Sequence, residues 1–92
     1  MEFQVTSNRV FLNNEAGELI AEVTFPLISE DTVNMDHTFV DDSLRGQGIA
    51  GKLVSLAVEQ IKKDQKKVIP TCSYAKGWFE KHPEHRDILK NK

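Results

Sequence analysis

Leu44-Arg45-Gly46-Gln47-Gly48-Ile49-Ala50-Gly51-Lys52 packs three glycines and two cations into nine residues, just ahead of a helical pattern. The first N–H groups of a helix lack intrahelical acceptors and carry a partial positive charge, which suits a phosphate. Glycine lets backbone approach an anion closely, and Arg45 adds a fork of donors. The competing reading is a plain glycine loop that caps a helix. Gly46, Gly48 and Gly51 also match G-x-G-x-x-G, but several residues separate the preceding strand from Gly46, and the next strand ends in Thr71-Cys72 rather than an acid. A P-loop fails as well, because Leu53 stands where the metal-binding hydroxyl belongs.

Two further side chains carry reactive chemistry. Histidine is the side chain type suited to proton transfer near neutral pH, so His37 is a candidate general base; its other reading is a packed histidine on an apolar strand face. Cys72, the single cysteine, is a candidate nucleophile or a small buried hydrophobe. One cysteine excludes an internal disulfide and any zinc site that needs two thiolates. His82, Glu84 and His85 crowd together, but Pro83 interrupts their helical spacing, so they read as a surface turn and no metal is expected. Trp78 and Phe79 read as core.

The elements that must position these residues follow from periodicity. Phe3, Val5, Val10 and Leu12 alternate loosely, Asn13 to Gly17 is turn chemistry, and Leu19, Ala21, Val23 and Phe25 sit at period two up to Pro26. A third strand is predicted over residues 32–40, with Val33, Met35, His37 and Phe39 on one face and Asp36, Thr38 and Val40 on the other. Ile49, Leu53, Leu56, Ala57, Gln60 and Ile61 then fall at helical spacing, with lysines in the last turn, where cations suit the helix dipole. Residues 67–72 are apolar and partly β-branched, a strand parallel to the one before the helix. Residues 74–81 form an aromatic helix stopped by Pro83, and residues 87–91 a last turn. The order β-β-β-α-β-α-α makes an α+β fold, an antiparallel meander followed by a right-handed β-α-β crossover and C-terminal helices.

Ninety-two residues allow one domain, spanning 1–92. Twelve basic residues against 14 acidic ones, net −2, speak against a general nucleic-acid binder. The opening stretch lacks a basic start with an apolar run, and no segment reaches the ~20 apolar residues that span a bilayer, so a cytoplasmic protein off the membrane is expected.

Arg45-Gly46-Gln47-Gly48-Ile49-Ala50 resembles the Q/R-x-x-G-x-G/A motif of the GNAT superfamily of acetyl-coenzyme A-dependent N-acetyltransferases. The order of elements over about residues 3 to 82 is similar to that family's core. His37-Thr38-Phe39-Val40, Pro70-Thr71-Cys72-Ser73-Tyr74 and His82-Pro83-Glu84 are similar to a small stand-alone GNAT-like subfamily. The resemblance implies a minimal GNAT-like fold that binds acetyl-CoA and passes its acetyl group to an amine of unknown identity. Backbone N–H groups of Arg45, Gly46, Gln47, Gly48, Ile49 and Ala50 would hold the pyrophosphate, and backbone around Phe39 and Val40 the pantetheine arm. The thioester would point between that strand and the one ending at Cys72.

Within that frame His37 is the candidate base. Cys72 either relays the acetyl group or lines the slot, with His37 the group expected to take its proton. Tyr74 is a proton donor to the leaving sulfur, a packing residue or a stacking partner of the cofactor. The chain lacks the helices between the first two strands and the closing hairpin that commonly build the family's acceptor pocket; a homodimer could complete it. Two other readings stand beside the enzyme: an acetyl-CoA-binding sensor or subunit, and a small phosphate- or nucleotide-binding domain.

Overall fold

Alternating side chains build the first three strands of the computed structural model, which describes residues 2–90. They are β1 (Phe3–Val5), β2 (Arg9–Asn13) and β3 (Leu19–Thr24), paired antiparallel in sequence order, so the single strand expected from Phe3 to Leu12 is a hairpin of two. Val10, Leu12, Ala21 and Val23 turn inward and are buried, while Arg9, Phe11, Glu22 and Thr24 alternate with them on the outer face. The β2–β3 turn rests on Asn14, whose side-chain oxygen accepts the N–H groups of Ala16 and Glu18, and on Gly17 at φ +82°.

The single strand expected over residues 32–40 is two strands in two sheets. β4 (Leu27–Ser29), β5 (Thr32–Met35) and β6 (His37–Val40) follow β3. β6 closes a four-stranded sheet of order β1-β2-β3-β6, and β5 lies between β4 and the later β7 in a three-stranded sheet. The break is a bulge at Asp36. Its N–H donates to Thr24 O at 3.3 Å although Thr24 already pairs with His37, so two residues face one. Two residues further along, Pro26 accepts the Asn34 N–H at 2.8 Å but offers no N–H of its own to continue the β3 ladder. The extra residue flips the alternation: Val33 and Met35 are buried, but His37 and Phe39 are exposed, and Thr38 and Val40 turn inward. β4, with Leu27 and Ile28 both exposed, has no half-buried alternation from which it could have been foreseen.

α1 (Ile49–Lys63) buries Leu53, Val54, Ala57, Val58 and Ile61 against the strands, the larger four contributing roughly 1.5–3 kcal/mol each if fully removed from water. Lys62 and Lys63 occupy its last turn, as expected. β7 (Lys67–Pro70) then runs parallel to β5, Val33 opposite Val68 and Met35 opposite Pro70. It ends two residues earlier than expected, and the N–H groups of Thr71 and Cys72 both donate to Met35 O, at 3.0 and 3.3 Å. α2 (Ser73–Lys81) buries Ala75, Trp78 and Phe79. A 3-10 helix at Pro83–Ile88 replaces the turn expected at residues 87–91, of which Asn91 lies outside the described residues. Leu89 bridges back to Val68.

Candidate functional site

The glycine turn is positioned by a 3-10 helix at Asp42–Leu44, capped by the Asp41 carboxylate, which accepts the Ser43 N–H at 3.0 Å and its hydroxyl at 2.6 Å. Those bonds, the hydroxyl foremost, hold the Asp41 pKa below its ordinary value. Gly46 (φ +81°) and Gly48 (φ +70°) then adopt left-handed conformations that side chains with a Cβ resist. Gly48 stands at the N-cap of α1, with no capping side chain and no acidic residue in the first turn. Of the six N–H groups singled out in the sequence, Arg45 donates to Asp42 O and Gln47 to Leu44 O. Those of Gly46, Gly48, Ile49 and Ala50, with Gly51 beyond them, donate to nothing among the described residues. The Arg45 side chain, fully in solvent, pairs with Asp42 at 3.0 Å.

Beside this turn the two sheets part. β6 is an edge, paired only with β3, and β7 diverges from it beyond Pro70. Asp41 N–H bonds Ile20 O at 2.8 Å, which fixes the alternation of the β3–β6 ladder. Phe39 therefore spends its backbone groups on Glu22, while those of Thr38 and Val40 face the open edge. The register turns the backbone groups of Thr38 and Val40, and not those of Phe39, to the open edge.

Cys72 sits across this opening as the N-cap of α2. Its sulfur accepts the Ala75 N–H at 3.3 Å and lies 3.3 Å from Thr38 Oγ1. Thr38, and not His37, touches the sulfur. His37 stands on the opposite face, its side chain 55% exposed and its Nε2 3.9 Å from Glu22 Oε1. The bulge at Asp36 causes the exchange, since it is what turns Thr38 inward. Tyr74 leans towards α1: a Cβ built on Gly51 would lie 3.5 Å from its hydroxyl, and partial burial raises its pKa. That hydroxyl therefore stands beside the first turn of α1.

A groove of about 540 Å³ continues from Gly51 between the two helices, lined among others by Ser55, Tyr74, Gly77, Trp78 and His82. The Trp78 ring stacks on His82 at 4.0 Å. His82 Nδ1 lies 2.8 Å from Trp78 O and His85 Nδ1 2.8 Å from Lys62 Nζ, so both imidazoles are engaged locally. Among the described residues no three His, Cys, Asp or Glu side chains converge to hold a metal ion, and no helix is long and apolar enough to cross a membrane. Sequence reasoning missed Thr38 and Glu22. No local signal points to the first, because Asp36 fits the period-two pattern of residues 32–40.

Comparison with known proteins agrees with this geometry. The family model described as GCN5-related N-acetyl-transferase matches residues 9–88. The NMR structure of a GCN5-like protein from Staphylococcus aureus is 31% identical, with a TM-score of 0.79, covering 99% of this chain and 89% of that one. Protein NATD1 of Xenopus tropicalis is 30% identical over 63 residues, 68% of this chain; the match spans 58% of NATD1's own length. A Mycobacterium tuberculosis protein in complex with CoA shares the fold at 15% identity and a TM-score of 0.65, with 83% of this chain and 47% of that one covered. The α+β architecture is thus a GNAT fold, and the chain belongs to the GCN5-related N-acetyltransferase family.

Proposed function

We propose that this chain binds acetyl-CoA and transfers its acetyl group to an amine. The observation that carries the reading is the set of N–H groups at Gly46 and residues 48–51, without acceptors and next to the unpaired edge of β6. Those N–H groups fit a diphosphate, the open backbone groups of Thr38 and Val40 fit the amides of a pantetheine arm laid down like an added strand, and the groove from Gly51 to Trp78 fits the adenosine end. Tyr74 then serves the nucleotide side of the site.

Acetyl-CoA supplies an activated acyl group; the protein's part is to hold it and manage protons. A C–N bond forms as the C–S bond breaks, one proton leaves the nitrogen and one reaches the sulfur of the leaving thiol. On this reading His37, exposed on the outer face of β6, takes the first proton from an acceptor that approaches from that face. Cys72 lines the slot: its sulfur already caps α2, and direct attack by the amine requires no enzyme thiol.

A second reading, a cofactor-binding module with little turnover, is favoured by the open face around His37. Incubating the protein with acetyl-CoA and a panel of amines decides between them. Thiol release above the amine-free rate supports the transferase; CoA binding without release supports the module.

A further inference from the structure

The outer face of the four-stranded sheet carries a row of groups that the proposed donor site does not use. Glu22 lies opposite Phe11 on β2 and Phe39 on β6, and diagonally between Arg9 and His37. Its side chain is only 15% exposed. A carboxylate set between two phenylalanines is costly to desolvate unless paired. One oxygen is paired, with the Arg9 guanidinium, which itself lies 3.8 Å over the Phe11 ring. The other oxygen, Oε1, faces His37 Nε2 at 3.9 Å. The charged groups around the His37 ring are thus Glu22 on β3, with Arg9 behind it on β2, and Asp36 on its own strand. Asp36 is tied to the Thr24 hydroxyl at 2.6 Å, which leaves Glu22 as the carboxylate aimed at the ring.

We infer that Glu22 is a positioning residue for His37. The carboxylate favours the neutral ring with its proton on Nε2, so Nδ1 is the atom that accepts a proton from the acceptor nitrogen. The imidazolium formed in that step then has the Glu22 carboxylate beside it, and Arg9 holds that carboxylate in place. The inference rests on the acetyl-transfer reading, in which His37 is the base.

Two measurements test it. Nitrogen-15 NMR of the histidine-labelled full chain, with His37 neutral, should show the Nε2–H tautomer in excess of its share in free histidine, which itself favours that form, and Glu22→Met, which suits the flanking phenylalanines, should return the ratio to the free value. An Nδ1–H ring in the parent protein, or a preference unchanged in Glu22→Met, overturns the inference whether or not the protein turns over. Second, Glu22→Gln should lower kcat about tenfold with KM for acetyl-CoA unchanged, and should have no further effect on a His37→Ala background. Losses that multiply in the double variant, or a raised acetyl-CoA KM, would overturn it. Thiol release by the parent protein separately reports on the acetyl-transfer reading, and matching backbone spectra of the variants show that the fold is kept.

Discussion

At the start of α1 the groups offered to a ligand are backbone N–H donors on a turn whose shape two positive-φ glycines dictate; across the opening, at β6 and the start of α2, they depend on which way a strand faces. The first depends on residue type alone: Gly46 and Gly48 adopt conformations that other residues resist, whatever packs nearby. The second depends on one inserted residue, Asp36, that exchanges His37 for Thr38 at the slot. A backbone cradle can be broken only by changing its conformation, whereas the facing wall can be changed one side chain at a time.

The largest expected effect breaks the cradle. Gly48→Val forces a β-branched residue to φ +70°, at a cost of about 1–2 kcal/mol in stability. Losing two or more charge-assisted bonds to the diphosphate should weaken CoA binding by about a hundredfold or more. No atom lies within 4 Å of a Cβ built there, so the domain should stay folded. Calorimetry with CoA, alongside the backbone NMR spectrum, checks both statements.

The next removes the second wall from the ligand instead of the protein. 3′-Phosphoadenosine 5′-diphosphate keeps the groups for the cradle and the groove but lacks the arm for Thr38 and Val40. It should bind about tenfold more weakly than CoA, one or two strand-type bonds being lost. Equal affinity would mean that β6 takes no part, and a nucleotide-binding domain would become the better reading.

Smaller still is the effect at Cys72. Cys72→Ala removes the acceptor for the Ala75 N–H and should cost about 1 kcal/mol in chemical denaturation, while Cys72→Ser restores most of it. CoA affinity and most of any transfer should survive both changes. A stable acetyl-Cys72 in the intact mass that discharges to an added amine would make it a relay.

The smallest concerns the approach to the cradle. The Asp41 carboxyl is held below the ordinary aspartate value of 3.8, first by the Ser43 hydroxyl. A lowered folded pKa means that the contribution is present above pH 4 and is lost as pH falls through the folded value. Ser43→Ala should bring the Asp41 titration, followed by carboxyl carbon-13 NMR, back towards its ordinary position.

The same contrast explains what the sequence could reveal. The Arg45-Gly46-Gln47-Gly48 turn, α1 and α2 were legible because glycine conformation and helical periodicity are properties of a few neighbouring residues. The division of residues 32–40 between two sheets was not. It arises where Asp36 meets Thr24, twelve positions earlier in the chain, and no local alternation encodes that meeting. β4 escaped because three exposed residues carry no burial pattern. His37 and Cys72 were recognised as reactive types, but their separation by the sheet face is a matter of register.

Titrating the nitrogen-15-labelled protein with CoA and following every backbone amide tests the donor site most directly. The largest shifts should fall on Gly46 and residues 48–51 and on Thr38 and Val40, with lesser ones along the groove at Gly77 and Trp78, and Gly48→Val should abolish them all. Shifts centred on any other part of the molecule, or shifts that persist in Gly48→Val, would contradict the account.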